Sequence, residues 1–173
     1  MSNEQKKRRG LYLNSALCYL LFAICYTSCD KNASQPPSPE IEVGQNDKEI
    51  ERIAENARRA LPTFFRNLAR PEEGAGNFYI KYPLIADDGG IEQVWLGSIH
   101  LNGGVYFGRL ANTTKLMESR KGSSIIIDTA KITDWMYIQD GKIIGGRSIK
   151  YLLEKIPEEK RKEDQKKILK MFE

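Results

Sequence analysis

The sequence predicts an α+β domain: a curled antiparallel sheet or small open barrel of about five or six strands, with a kinked N-terminal helix and C-terminal helices. Two changes of hydrophobic period carry that prediction. Over residues 47–68 the apolar side chains recur every three or four positions, from residue 78 to 144 every second position between turn dipeptides, and after Gly145-Gly146 the helical spacing returns.

In the first helix, Ile50, Ile53, Ala54, Ala57, Leu61, Phe64, Phe65 and Leu68 form one buried stripe. Asn46 or Asp47 caps its start and Pro71 stands just past its end. Pro62 has no N–H and crowds the carbonyl four residues earlier, which predicts two helical pieces sharing a face. Phe78, Ile80, Tyr82 and Leu84 then mark a strand, and Asp87-Asp88-Gly89-Gly90 a turn. Residues 91–100 are apolar on both faces, as suits an interior strand. Asn102-Gly103 predicts a tight hairpin leading into a strand at 105–110. A loop or short helix over 111–122 follows, then strands at 124–128, 132–138 and 142–144. Ser148 is placed to cap a helix over 148–156. Pro157 opens a polar C-terminal helix over 157–173, acidic early and basic late, as the helix dipole favours.

The first forty residues read as an address. Lys6, Lys7, Arg8 and Arg9 precede an apolar run from Leu11 to Tyr26, which is the layout of a secretory leader. Tyr26-Thr27-Ser28-Cys29 resembles the lipobox of bacterial lipoproteins, which implies removal of residues 1–28 and a lipid on Cys29. Cys25 and Cys18 follow bulky Ile24 and Leu17, which do not suit the cleavage position. The alternative is an uncleaved anchor, since residues 11–28 reach the lower limit of about 17 residues for crossing a bilayer. Either reading places the domain outside the cytoplasm, membrane-anchored and facing the periplasm or exterior. Residues 29–45, rich in Pro and Ser, suit a solvated tether, leaving a domain at 46–156 and the C-terminal helix.

Composition excludes several functions. Four of the 27 basic residues and one of the 23 acidic residues lie in 1–28, so the remaining chain carries 23 against 22. That near-neutral balance gives no pull on nucleic acid. All three cysteines lie in the first 29 residues and His100 is the single histidine, so neither an internal disulfide nor a Cys/His metal site is expected in the domain. No cofactor motif occurs: Gly103-Gly104 and Gly145-Gly146 lack the pattern of a phosphate loop. Asp87-Asp88 lacks the spacing of a calcium loop, and Ser123, Ser124 and His100 lack the setting of a catalytic triad.

Glu92 and Asp134 remain as an acid–base pair if they meet in a cleft, or as strand-end groups that bond backbone amides if they do not. Trp95, Trp135 and Tyr137 offer an aromatic platform for a protein or glycan partner, against the plainer alternative of core positions. The first functional expectation is a membrane-tethered binding module. An envelope hydrolase using Glu92 and Asp134, or a protective protein of immunity type, are its alternatives.

Residues 57–64 (ARRALPTF), 92–97 (EQVWLG), 108–112 (GRLAN), Lys121-Gly122, 132–137 (ITDWMY) and 140–142 (DGK), in that order, resemble the YegJ-like bacterial domain family, domain of unknown function 2314. The resemblance covers residues 50–155 and implies a bacterial domain without an assigned reaction. Gln93 stands where members often carry His beside the Glu, which removes an acid–base group from that position.

Overall fold

A computed structural model describes residues 47–85, 89–111 and 123–172. The expected leader, Cys29 and the expected tether lie outside these residues, as do Asp87, Asp88 and residues 112–122 of the segment expected to be a loop or short helix.

The described chain is an α+β domain of three layers. Helix α1 (Lys48–Ala69) covers one face of a six-stranded antiparallel sheet, and helices α2 (Arg147–Lys155) and α3 (Glu163–Lys170) pack on the other. The strands are β1 (Ala75–Ile85), β2 (Ile91–Asn102), β3 (Val105–Leu110), β4 (Ser124–Ile127), β5 (Asp134–Gln139) and β6 (Lys142–Gly145), in the spatial order β4-β3-β2-β1-β5-β6. The sheet is open. Among the described residues no helix is long and apolar enough to cross a membrane.

Helix α1 is one uninterrupted helix of 22 residues, not two pieces. Pro62 lies on its exposed face, so water can hydrate the carbonyl that loses its bond, while Leu61 and Phe64 stay buried on the other side. Phe64 is fully enclosed, edge-on to Phe65 and Phe78 and 5.3 Å from Trp135 between ring centres. Burial of such a ring contributes about 1.5–3 kcal/mol.

The strands do not form a simple meander, because β5 pairs with β1 and not with β4. The link from β4 crosses the α1 side of the sheet through a 3-10 turn at Thr129–Lys131. Three contacts hold it there. The Asp128 amide donates to the Tyr82 hydroxyl at 3.2 Å, Arg58 donates to the Ile132 carbonyl at 3.2 Å, and Ile132 is wholly buried under α1. Ile132 caps that turn and Thr133 follows it, so the strand expected at 132–138 begins instead at Asp134 as β5.

Gly103 and Gly104 are the two turn residues of the β2–β3 hairpin, both with positive φ, and Asn102 pairs with Val105 as the last strand residue. The turn thus sits one residue later than the Asn-Gly pair suggested. The C-terminal part departs further. Ser148 does not cap α2; Gly146 holds the cap position in the left-handed region without a capping side chain. Pro157 is extended and leads into a 3-10 turn at Glu158–Lys160, after which α3 starts at Glu163. Between them the Arg161 guanidinium donates to the Leu153 and Glu154 carbonyls at 3.0 and 3.1 Å and closes the end of α2. The last helix is less solvated than its composition suggested, since Ile168, Leu169, Met171 and Phe172 pack on the second core with Ile149 and Leu153.

Candidate functional site

Side chains alternate across a strand, so register assigns each candidate to a face. Ile80 pairs with both Leu96 and Trp135, and Leu84 with Glu92, which puts Trp135, Tyr137 and Glu92 on the α1 face. Lys81 pairs with both Trp95 and Asp134, which puts those two on the α2 and α3 face. The sheet therefore lies between Glu92 and Asp134, and also between the two indoles. It does not bring the carboxylates into one cleft or the tryptophans into one platform.

Tyr137 is a core residue, stacked on Phe78 with ring centres 4.9 Å apart, its hydroxyl accepting from Asn67 at 2.9 Å. Trp95 is buried on the opposite side beneath the Lys81 ammonium, 5.9 Å from the ring centre. Glu92 is half-buried at the start of β2.

Asp134 is 2 % exposed, and its two oxygens accept from the Trp135 amide at 2.8 Å and the Ser148 amide at 2.7 Å. The second bond explains why α2 can begin at a glycine: the carboxylate that meets its free amides comes from β5. Lys81 completes the cluster, its ammonium donating to the Ser148 hydroxyl at 3.3 Å. Burial pushes the Asp134 carboxyl above the usual carboxylate range, although the Ser148 hydroxyl, the two amides and Lys81 pull it down. Burial likewise lowers the Lys81 ammonium, against the pull of Asp134. Such shifts are common at catalytic sites. Here the carboxylate and Ser148, also 2 % exposed, are closed off from solvent and spend their bonding on the start of α2.

An open cleft of about 450 Å³ adjoins this cluster. Asn56, Ala57 and Ala60 of α1 form one wall, and Ile144, Gly145 and Arg147 form the other; Trp135 and Asp134 lie behind. Sequence explains the opening. Two alanines one turn apart leave room that larger residues on α1 would fill, and the indole is fixed from behind by its N–H bond to the Ala57 carbonyl at 3.0 Å. Gly145 has φ +82°, and a Cβ there would press on the Trp135 carbonyl and approach its ring carbons to 2.7 Å. Gly146 then donates its amide to that same carbonyl at 2.8 Å. The volume falls in the range of about 300–1,000 Å³ usual for small-ligand sites. A slightly larger groove between α2 and α3, about 510 Å³, is lined almost entirely by charged side chains, several paired among themselves, such as Lys166 with Glu163 at 2.8 Å.

Arg147 and Asn56 supply the polar chemistry of the cleft. Arg147 is exposed, and its fork of donors suits a carboxylate. The Asp134 oxygens are turned to the Trp135 and Ser148 amides behind. Of the residues singled out in the sequence, Trp135 lines this cleft and Asp134 closes it; Glu92, Trp95 and Tyr137 lie elsewhere. Arg147, Asn56 and Lys81 carried no sequence signal beyond the position of Arg147 just after Gly145-Gly146. Among the described residues no group of three or more His, Cys, Asp or Glu could hold a metal ion.

The chain is 32 % identical over 129 residues to a "putative ankyrin repeat protein" of Neisseria meningitidis serogroup B, a match that covers 70 % of this chain and 51 % of that protein. This chain thus spans about half the length of that relative. It is 30 % identical over 115 residues to the uncharacterised protein YegJ of Escherichia coli, covering 66 % of this chain and 73 % of YegJ. No solved structure matches. The family model for uncharacterised proteins conserved in bacteria, DUF2314, matches residues 47–169, from the cap of α1 to the end of α3. The chain belongs to the DUF2314 family.

Proposed function

We propose that this protein is a binding module of the cell envelope, held at a membrane through Cys29, which takes a carboxylate-bearing protein or glycan partner in the cleft beside Trp135. The observation that carries the reading is the cleft itself: an indole behind small alanines, with the Arg147 guanidinium and the Asn56 amide on opposite walls. A sugar or peptide would lie against the apolar surface of Ala57, Ala60 and Ile144 and direct its carboxylate to Arg147. The envelope address rests on the leader and on the Cys29 lipobox. A relative twice the matched length supports the view of a module that joins other segments. A two-carboxylate hydrolase gains no support from an arrangement with Glu92 and Asp134 on opposite faces of the sheet.

The test is calorimetric titration of the full chain in detergent with N-acetylmuramic acid and with a tripeptide carrying a free C-terminal carboxylate. Loss of one charge-assisted hydrogen bond of about 1.5–3 kcal/mol makes Arg147→Ala bind roughly ten- to a hundred-fold more weakly. Uncharged analogues that bind as well as the acids, or an Arg147→Ala variant with unchanged affinity, would refute the reading.

A further inference from the structure

The domain exposes a second surface, remote from the cleft. Leu101 and Val105 flank the Gly103-Gly104 turn of the β2–β3 hairpin and are 57 % and 41 % exposed. By register Leu101 lies with Tyr106 on the α1 face, whereas Val105, Phe107 and Ile126 share the other. Ile126, on the edge strand β4, is 64 % exposed. The tip therefore presents apolar side chains on both sides of a narrow ribbon, with half-buried Tyr106 and Phe107 just behind. A single flat partner would cover one side, whereas a fluid apolar medium receives both.

Charge agrees with that distinction. From Gln93 to Ala111 and from Ser123 to Ile127 there is no carboxylate, in a chain with 23 acidic residues. The carboxylate that borders this lobe, exposed Asp128 just after β4, is paired with Lys131 at 3.7 Å; Arg109 is exposed, and exposed His100 stacks on Phe107 with ring centres 5.6 Å apart. Among the described residues of this lobe the exposed cations Arg109 and Lys131 outnumber the one carboxylate, Asp128, and attract anionic phosphate.

We infer that the β2–β3 hairpin tip inserts shallowly into the surface of an anionic phospholipid bilayer, with Leu101 and Val105 among the acyl chains. The inference rests on the proposed tether, and the length of chain permits it. Asp47 lies eighteen residue steps from Cys29, a reach of roughly 56 Å at about 3.1 Å per step when extended. The tip lies toward the end of α1 opposite its start, since Phe65 stacks on Tyr106 with ring centres 3.9 Å apart. The 22 residues of α1 span about 33 Å. A lipid on Cys29 and a tip at the surface can thus share one bilayer.

Leu101→Trp tests this. Leu101 is exposed, so the substitution leaves the core intact, and the two native indoles are buried away from lipid. The full chain is reconstituted into phosphatidylglycerol–phosphatidylethanolamine vesicles whose acyl chains carry bromine, a quencher that acts on contact. The added emission of Leu101→Trp should be largely lost, and that of Lys142→Trp, at the other edge of the sheet, retained. Co-flotation with vesicles without quenching at residue 101 overturns the tip insertion and leaves the tether standing. Failure to co-float overturns both. Shielding of residue 101 without vesicles, in a chain that runs as a dimer, overturns it in favour of a second copy.

Discussion

Substitution of Gly145 by Ala examines the construction of the cleft at its tightest point. The backbone there has φ +82°, so any side chain is strained; in addition, a Cβ would overlap the Trp135 carbonyl and come within 2.7 Å of its ring. The first effect costs about 1–2 kcal/mol and the second, as overpacking against backbone, about 1–3 kcal/mol. Gly141 separates them: its φ is +79°, but nothing lies within 4 Å of the added carbon. Gly141→Ala should therefore lose roughly 1–2 kcal/mol by strain alone, and Gly145→Ala roughly 2–5 kcal/mol. Equilibrium unfolding in urea, followed by fluorescence of the two tryptophans, reads both values. The refuting result is equal destabilisation of the two variants, which would mean that Gly145 does not press on Trp135 as described.

Two further predictions concern the carboxylates that begin the helices. Asp134→Ala leaves the Trp135 and Ser148 amides without their acceptor. At about 1–3 kcal/mol for each unsatisfied group, unfolding in urea should show a loss of roughly 2–6 kcal/mol. Asp47 caps α1 through the Glu49 amide and also accepts from Tyr151 at 3.0 Å and Lys155 at 2.6 Å, which pins the start of the domain to α2. The Lys155 bond, first among several, holds the Asp47 carboxyl below the ordinary carboxylate value of 3.8. Its contribution is then fully present above that value and lost as the pH falls through the lower value of the folded state. Asp47→Asn keeps a capping oxygen but removes the charge. Melting temperatures of wild type and variant should therefore differ at pH 6 and converge in strong acid; a constant gap would contradict the assignment.

The parts of the fold set by local chemistry were legible in the sequence. The stripe from Ile53 to Leu68 repeats at helical spacing because one side of α1 faces the sheet, and Phe78 to Leu84 alternates because a strand must. The hairpin glycines announce a turn because few other residues accept positive φ. Non-local pairing was not legible. Nothing near Asp134 in the chain shows that β5 will lie beside β1, since that depends on Tyr82, Arg58 and α1 holding the link from β4. The same blindness hid the site. Asp134 read as an acid or as a strand-end group bonding backbone amides, and it is the second; that one of those amides starts α2, 14 positions away, was not legible. Pro62 misled for another reason: its cost depends on which side of the helix it occupies, and the exposed side tolerates it. Trp95 and Trp135 read as a platform or as core positions; register places them on opposite faces of the sheet, and both are buried. Arg147 became visible as a candidate site residue only when α1 and the turn after β6 formed the walls of the cleft it lines.

Opposite placement of the two indoles also provides the most direct test of the binding cleft. The full chain contains two tryptophans, so its proton–nitrogen correlation spectrum carries two indole signals. Trp135 lines the cleft and Trp95 is buried on the far side of the sheet. Titration with the carboxylate-bearing sugar or peptide should move the Trp135 signal, leave that of Trp95 in place, and have no effect in Arg147→Ala. Movement of Trp95 alone, or of neither signal at saturating acid, would contradict the account.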